Sequence, residues 1–370
     1  MADPTRRQFL QAATAMCAMS QTPASFASGN LEPAAEVLRR SCASGQTRAA
    51  AMYIRHGRRE YSATFGEAKD DTASFLLGSI SKPIATTALL RLFDQGRFSM
   101  DDPVGQHLAE FTGGERGKVT IRHLLTHTSG LQDQLPDNAK LRSEHAPMSG
   151  FVAGACRLPL HFSPGTSYEY SSMGILLAME IASRMTQTPI PELVNQTVLK
   201  PLQMHDSELG SGRLKASQLM QSQTEYGAVE SGAGDPDAAR WNWNSEYWRS
   251  LGAPWGGLQA SAPDVGRFLL EHLHPQGLLY SAATTAAAIR NHNPKGLESR
   301  GLGFDSAMEA TCQACSSGTF GHTGSTGTIA WADPRRDLIV VVLTTLPARA
   351  LPAAEHPRQQ ASDLISAAIA

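Results

Sequence analysis

Two hairpin-like segments, one near each end of the chain, constrain the fold more than any other feature of the sequence. Residues 49–68 have the sequence AAAMYIRHGRREYSATFGEA, two strand-like runs joined by a charged turn at Gly57. Residues 326–346 have the sequence TGTIAWADPRRDLIVVVLTTL, a second such pair around Pro334. Because strands lie at both ends and the middle has mostly helical spacing, we expect one sheet built from both ends and a helical lobe inserted into it.

Helical spacing of apolar residues recurs along the chain. The expected helices cover residues 31–42, about 80–95, 120–126, 149–156, 174–186, 190–200 and 263–273, and 357–370. Loops rich in Gly and Pro separate many of them. A cleft between the sheet and the helical lobe is the expected position of a binding site.

The first 27 residues show the order of features of an export signal. The sequence TRRQFL at 5–10 puts twin arginines before a weakly apolar run at 9–19, and small residues follow at Ser25 and Ala27. We expect a twin-arginine signal peptide over residues 1–27 and a periplasmic or secreted mature protein. The alternative is a disordered or helical N-terminal extension. The apolar run is far too short to span a bilayer.

Charge and cysteine content narrow the function classes. The 370-residue chain has a net charge of −2 and no run of Lys and Arg longer than two, so no nucleic-acid partner is expected. Cys312 and Cys315 form a C-x-x-C pair, but a zinc site needs a second pair of ligands, and no suitable pair follows. A small-loop disulfide and two free thiols remain as alternatives, and we expect neither a metal nor a cofactor.

Lys82 is the only ionisable residue between positions 72 and 90. Burying an unpaired ammonium among such apolar neighbours would cost several kcal/mol. Ser79 lies three residues earlier, so the two side chains share one face of a helix that begins at or just after Ser79. Desolvation can lower a lysine pKa by up to ~3–5 units, toward the neutral form that accepts a proton. The pair therefore predicts a serine nucleophile beside an amine base.

The S-x-x-K spacing alone is weak evidence, but Lys82 is the only one of seven lysines with a serine at this offset. Two later stretches strengthen it: TSYEYSSMG contains Tyr170 and Ser172, and FGHTGSTGT contains a His-Thr-Gly run that we expect to open a strand. In this order the motifs resemble those of the penicillin-recognising serine hydrolases, which include class C β-lactamases, serine D-alanyl-D-alanine carboxypeptidases and related esterases. The resemblance extends over roughly residues 35–345.

The resemblance implies a β-lactamase/transpeptidase-like fold of the α/β (α+β) class. Its antiparallel sheet would be flanked by helices, with an inserted all-helical lobe and the site in the cleft between. It implies one catalytic domain over residues 28–370. The sheet-containing lobe would comprise about 31–95 and 255–370, and the helical lobe about 96–254.

The resemblance also implies a role for each matching residue. Ser79 corresponds to the acylated nucleophile, Lys82 to its proton partner and Tyr170 to the general base. The backbone N–H groups of Ser79 and Ser325 would form the oxyanion hole. The implied substrate-binding positions are Ser172, His322, Thr323 and Gly324.

Two positions depart from the family pattern. Ser172 stands where the family usually has asparagine, and its shorter side chain reaches less far toward a substrate amide. His322 stands where β-lactamases usually have lysine, which removes a fixed positive charge beside Tyr170. Protonation near the ordinary histidine pKa of ~6.5 would restore that charge, so we expect carboxylate-bearing substrates to bind more tightly at low pH. The His-x-Gly pattern favours peptidase-like and esterase-like branches over a true β-lactamase.

Other candidate sites have simpler explanations. His123 and His127 have metal-protease spacing but lack the required glutamate between them, so a structural pair is expected. Tyr168 lacks the small polar residue that follows Tyr170 two positions on. Four tryptophans between 241 and 255 either form a rim that grips an apolar acyl group or pack onto the fold, and both interpretations stay open.

Two classes of function follow from these motifs. The first is a hydrolase that acylates on Ser79 and turns over a small-molecule or peptide substrate: a D-alanyl peptide, a small ester or a β-lactam. The second is a penicillin-binding or sensor protein that acylates without efficient turnover. Because all polar groups for turnover are present, the hydrolase is the preferred interpretation. The sequence does not predict an oligomeric state.

Overall fold

The computed structural model describes residues 30–369, so the predicted signal peptide lies outside the described residues. The helices in this range are α1 (Glu32–Ala43), α2 (Ser81–Asp94), α3 (Val104–His107), α4 (Ile121–Leu125), α5 (Asn138–Ser143), α6 (Met148–Arg157), α7 (Ser172–Thr186), α8 (Ile190–Val194), α9 (Glu246–Leu251), α10 (Ala262–Leu273), α11 (Ala282–Ile289) and α12 (Pro357–Ala368). The strands are β1 (Ala49–His56), β2 (Arg59–Gly66), β3 (Phe75–Leu76), β4 (Ser207–Glu208), β5 (Gln259–Ala260), β6 (Phe320–Gly324), β7 (Thr328–Asp333) and β8 (Leu338–Thr344).

Five strands form one antiparallel sheet in the order β2-β1-β8-β7-β6. The two predicted hairpins are β1–β2 and β7–β8, and the pairing of β1 with β8 joins them, with Ala50 opposite Thr344. This arrangement confirms the predicted α/β (α+β) class with an antiparallel sheet flanked by helices. A second, small sheet of two-residue strands in the order β3-β5-β4 was not predicted.

Both faces of the large sheet are buried. Along β1, Ala51 and Tyr53 belong to one apolar cluster, whereas Met52 and Ile54 belong to the other, as the two-residue period of a strand requires. Helices α1 and α12 cover one face, and α10 covers the other. This double burial accounts for the nearly continuous apolar sequence of β1 and β8.

Helix α2 lies at the centre of the helical part of the fold. It packs against α7 and α8, and α7 also packs against α4 and α6. A 3-10 turn over Gly78–Ile80 leads directly into α2, and Pro83 fits the first turn, where a backbone N–H would have no helical partner. The same 3-10 turn contacts β6, so Ser79 lies where the helical part meets the edge of the sheet.

The structure corrects two local predictions, on one helix and one strand, and decides between the two alternatives for the C-x-x-C pair. The helix predicted over 190–200 is α8 followed by a π-helical turn over Asn195–Leu199. The His-Thr-Gly run closes β6 instead of opening a strand, since Phe320 already pairs with β7. Cys312 and Cys315 are joined by a disulfide. Within residues 30–369, no helix is long and apolar enough to cross a bilayer.

Candidate active site

Lys82 is buried and contacts Ser79 as the spacing predicted. Lys82 is only 1% exposed. Its Nζ lies 3.0 Å from Ser79 Oγ and 2.9 Å from the carbonyl oxygen of Trp255. Burial lowers the pKa of Lys82 to about 8, although the nearby charge of Asp133 opposes this effect. About a tenth of the Lys82 side chains are therefore neutral at pH 7. A neutral amine within hydrogen-bond distance of the serine can accept its proton.

Tyr170 lies beside Lys82 and His322. Lys82 Nζ is 4.8 Å from the centre of the Tyr170 ring, and the Tyr170 hydroxyl is 3.5 Å from His322 Nε2. Burial raises the pKa of Tyr170, and a hydrogen bond with Ser79 opposes this only in part. The hydroxyl is consequently protonated at neutral pH and is able to donate.

His322 is held as a neutral ring with a defined tautomer. Its Nδ1 lies 2.6 Å from the carbonyl oxygen of Thr323, which can only accept, so Nδ1 carries the proton. Burial lowers the pKa of His322 well below its usual 6.5, and the charges of Arg300 and Lys82 lower it further. The expectation that His322 becomes charged near pH 6.5 is therefore wrong. Its unprotonated Nε2 faces the Tyr170 hydroxyl and accepts from it.

Arg300 is a functional candidate that the sequence analysis missed. Its Nε donates to the Tyr168 hydroxyl at 3.0 Å, and its guanidinium carbon lies 5.6 Å from the centre of the Tyr170 ring. An ion pair of 3.3 Å with Asp305 holds the guanidinium there. Arg300 thus supplies a fixed positive charge near Tyr170 that His322 does not. No motif surrounds Arg300, so no sequence signal could have identified it.

Side-chain hydrogen bonds tie the turn after β6 to the segment before Ser79. Thr326 Oγ1 donates to the carbonyl of Leu76 at 2.6 Å, and Thr328 Oγ1 donates to that of Leu77 at 2.7 Å. Gly78 has a φ of +55°, and a Cβ there would lie 3.2 Å from the backbone nitrogen of Ser325. The absence of a side chain at Gly78 allows this close approach. The Ser325 N–H is thereby held beside the 3-10 turn that carries Ser79.

Ser172 is positioned by the start of α7. The preceding Ser171 caps the helix by accepting from the Gly174 N–H at 2.9 Å. The Ser172 N–H donates to Asp133 Oδ1 at 2.8 Å. This contact fixes the Asp133 carboxylate near Lys82 and Tyr170, whose pKa values it affects.

The two histidines with metal-protease spacing have structural partners. His127 Nδ1 accepts from the Ser171 N–H at 3.1 Å, and its ring centre lies 4.5 Å from that of Tyr170. His123 Nδ1 accepts from the Thr120 N–H at 3.2 Å as part of the cap of α4. No group of His, Cys, Asp and Glu able to hold a metal occurs in the described part of the chain. His127 therefore supports the loop that carries Tyr170.

Ser79, Lys82, Tyr170, Ser172 and Ser325 line one cavity of about 140 Å³. Three of the four tryptophans form part of its wall: Trp243, Trp248 and Trp255. The fourth, Trp241, is buried outside the wall, and all four are at most 6% exposed. All four tryptophans thus pack onto the fold, and the binding of an acyl group by the three in the wall stays a prediction. The residues 322–324 are not in the wall, and His322 acts on the cavity through Tyr170.

The sequence matches a family model described as Beta-lactamase over residues 34–364. It is similar to Esterase EstB from Burkholderia gladioli, with 34% identity over 182 residues, 43% of this chain and 46% of that esterase. The chain matches less than half the length of the curated relatives it resembles.

Two solved structures are similar in fold. One is a penicillin-binding protein homolog from Caulobacter crescentus, with a TM-score of 0.73 and 21% identity, covering 92% of this chain and 97% of that chain. The other is the D-amino acid amidase from Ochrobactrum anthropi SV3, with a TM-score of 0.73 and 19% identity, covering 91% of this chain and 98% of that chain. At these identities the likeness shows the fold alone.

Proposed function

This chain belongs to the beta-lactamase family, and on that premise we propose that it is a serine hydrolase that forms an acyl-enzyme on Ser79. The observation that carries the proposal is the contact of 3.0 Å between Ser79 Oγ and Lys82 Nζ, in a cavity of about 140 Å³. The likeness to an esterase and to a D-amino acid amidase supports an ester or amide as the bond that is cleaved.

In the acylation step, neutral Lys82 takes the proton of Ser79 while Oγ attacks the substrate carbonyl carbon. The N–H groups of Ser79 and Ser325 stabilise the negative charge that develops on the carbonyl oxygen. The Tyr170 hydroxyl donates its proton to the leaving group, and the Lys82 ammonium restores that proton. The leaving group departs protonated and Lys82 is neutral again.

Deacylation runs through the same groups. A water molecule attacks the ester carbon of the acyl-enzyme, and neutral Lys82, with Tyr170 as the link, accepts the proton of that water. The bond between Ser79 Oγ and the acyl carbon breaks, and Oγ takes the proton from the Lys82 ammonium, so that Lys82 is neutral again. Because burial raises the pKa of Tyr170 and lowers that of Lys82, Lys82 suits the role of base better than the tyrosine that the family resemblance suggests.

Among the acyl donors, we favour a small ester over a β-lactam or a D-alanyl peptide, both of which have a carboxylate. A β-lactamase of this family usually has lysine at the position of His322, and the neutral imidazole here offers no charge for the carboxylate of a penicillin. A penicillin-binding or sensor protein is the second candidate, since the same residues would also support acylation without turnover.

A fluorophosphonate probe followed by intact-mass measurement tests the nucleophile. We expect one adduct on the wild-type chain and none on Ser79→Ala, with unchanged circular dichroism. An adduct on the variant would refute the assignment.

Turnover is tested with a chromogenic short-chain ester, a D-alanyl peptide and a cephalosporin, each with Ser79→Ala as the blank. Steady hydrolysis of the ester or peptide supports the hydrolase. A burst of one equivalent with a lasting adduct would instead identify the sensor.

A further inference from the structure

Arg142 is a buried cation in the wall of the candidate active site. It lies on α5, it is 2% exposed, and its guanidinium carbon lies 4.1 Å from the centre of the Trp248 ring. One terminal nitrogen donates to the carbonyl of Glu230. Its Nε is buried without a hydrogen-bond partner. Arg142 forms no ion pair within residues 30–369.

Such an arrangement is unusual for a buried guanidinium, which normally has a carboxylate partner. Burial lowers the pKa of Arg142 to about 10, so the side chain stays charged at neutral pH. The carboxylate of Glu230 is near enough to favour the charged form but does not pair with it. Asp133, the other carboxylate in the wall, accepts from the Ser172 N–H. The positive charge is therefore only partly balanced.

Two further polar atoms of the same wall lack partners. Trp248 Nε1 is a buried donor with no acceptor, and Gln134 Oε1 is a buried acceptor with no donor. With Arg142 Nε, the wall thus contains two unsatisfied donors. Buried donors without acceptors are rare in folded proteins, and in a cavity wall an oxygen of a bound molecule would satisfy them.

Arg142 is connected to the Ser79–Lys82 pair through the tryptophans of the cavity wall. Lys82 contacts the Trp255 carbonyl, the Trp255 ring packs on Trp248 with centres 6.2 Å apart, and Trp248 packs on Arg142. Tyr170, the proposed proton donor to the leaving group, contacts His322 instead. The leaving group therefore belongs on the Tyr170 side and the acyl chain on the tryptophan side. Ser79 and Arg142 line the same cavity, so an acyl chain that joins them is short.

We propose that the Arg142 guanidinium binds a carboxylate at the end of a short acyl chain, so that the preferred substrates are half-esters or half-amides of small dicarboxylic acids. This inference rests on the proposed serine hydrolase activity. A guanidinium and a carboxylate form charge-assisted hydrogen bonds, which the uncharged end of an alkyl chain cannot replace.

Two chromogenic esters with five-carbon acyl chains test the inference: 4-nitrophenyl hydrogen glutarate and 4-nitrophenyl pentanoate. The rate measured with Ser79→Ala, which reports spontaneous hydrolysis, is subtracted from each rate. We expect wild-type kcat/KM to be at least tenfold higher for the glutarate ester. In Arg142→Met that ratio falls at least tenfold, mainly through KM, and in Arg142→Lys it falls less.

Arg336→Met is the matched control. Arg336 also has a buried Nε without a partner, but it donates to Ala314 and Ser366, and none of these three residues lines the cavity. We expect the control to leave the ratio of the two kcat/KM values unchanged. A wild-type preference for the pentanoate ester, or an equal loss with both esters in Arg142→Met, would overturn the inference.

Calorimetry tests the inference without hydrolysis, so it is independent of the proposed function. It also remains informative if Arg142→Met fails to fold. Free glutarate should bind to the Ser79→Ala chain at least tenfold more tightly than uncharged glutaramide, and equal binding would overturn the inference. Failure of the wild type to hydrolyse either ester or to label on Ser79 would reject the hydrolase while the binding comparison still tests Arg142.

Discussion

Lys82 is an ionisable side chain that is both buried and held in defined hydrogen bonds. Its ammonium is buried beside only one close carbonyl and one hydroxyl, which favours the neutral amine over the charged form. A group that is costly to bury and is nevertheless held in a defined contact is typical of an active site.

The pH dependence of activity follows from the lowered pKa of Lys82. Since the neutral amine is the base, kcat/KM for a neutral ester should rise with pH around a midpoint near 8, close to the pKa of about 8. The neutral fraction grows from about a tenth at pH 7 to about nine tenths at pH 9. Initial rates between pH 6 and 10, corrected with Ser79→Ala, measure this. Lys82→Arg should be inactive throughout, because a guanidinium stays protonated. A flat wild-type profile would contradict the assignment of Lys82.

The neutral state of His322 leads to a second pH prediction. Because its pKa is held well below 6.5, no charge appears on the ring between pH 5.5 and 8. The KM for a carboxylate-bearing ester should therefore change less than twofold over this range, as should the KM for a neutral ester. A KM that rises around pH 6.5 for the carboxylate alone, and is flat in His322→Gln, would restore the sequence-based expectation.

The sequence predicted the contact within a single motif better than the charges around it. Ser79 and Lys82 could be identified because helical geometry fixes the contact of residues three apart. The pKa of His322 depends on burial and on Arg300, which is distant in sequence, and Arg142 has no motif. Such long-range electrostatic effects require the fold.

At the scale of elements, the site depends on the approach of the β6–β7 turn to the 3-10 turn that precedes α2. Gly78 makes the approach possible, and two threonines secure it through the carbonyls of Leu76 and Leu77. The proposed oxyanion hole would thus lie at a contact between a turn of the sheet and the start of a helix.

Gly78→Ala should disrupt that contact. A Cβ would lie 2.9 Å from Thr326 Oγ1, and the φ of +55° is unfavourable for alanine by about 1–2 kcal/mol. We expect slower labelling of Ser79 by the fluorophosphonate probe, by at least tenfold, and a lower midpoint of thermal unfolding.

Gly96→Ala is the control that separates backbone strain at a positive φ from the steric clash of a Cβ at Gly78. Gly96 has a φ of +70°, but a Cβ there meets nothing within 4 Å. It should lose a similar part of its stability and label at the wild-type rate. Equal labelling rates in the two variants would show that the approach at Gly78 does not matter for the chemistry.

Most long elements were predictable because their apolar residues form clear patterns. The nearly continuous apolar runs of β1 and β8 and the helical spacing of α7 and α10 reflect burial directly. The two-residue strands β3, β4 and β5 are too short for any periodic pattern, and their pairing depends on contacts between distant segments. The π-helical turn after α8 likewise has no distinguishing sequence pattern.

At the scale of the whole molecule, export through the twin-arginine route is proposed from residues 1–27. Arg6→Lys with Arg7→Lys should leave the precursor in the cytoplasm, whereas wild type should reach the periplasm with Ser28 as its first residue. Cell fractionation and N-terminal mass measurement decide this. The same double change at Arg39 and Arg40, on the exposed side of α1, is the control and should be exported normally. Periplasmic activity of the Arg6/Arg7 variant at the wild-type level would refute the route.

The junction of β1 with β8 has a consequence for how the chain acquires its structure. Ala49 and Thr345 are hydrogen-bonded although they are 296 positions apart. During synthesis the β1–β2 hairpin leaves the ribosome early. The edge of β1 that pairs with β8 stays unpaired until β8, near the end of the chain, has been made. Contacts of such large sequence separation slow folding and prolong the interval in which a chain aggregates. We therefore expect the nascent hairpin to aggregate more readily than the complete chain, and a chain truncated before β8 would lack the strand that joins β1 to β7.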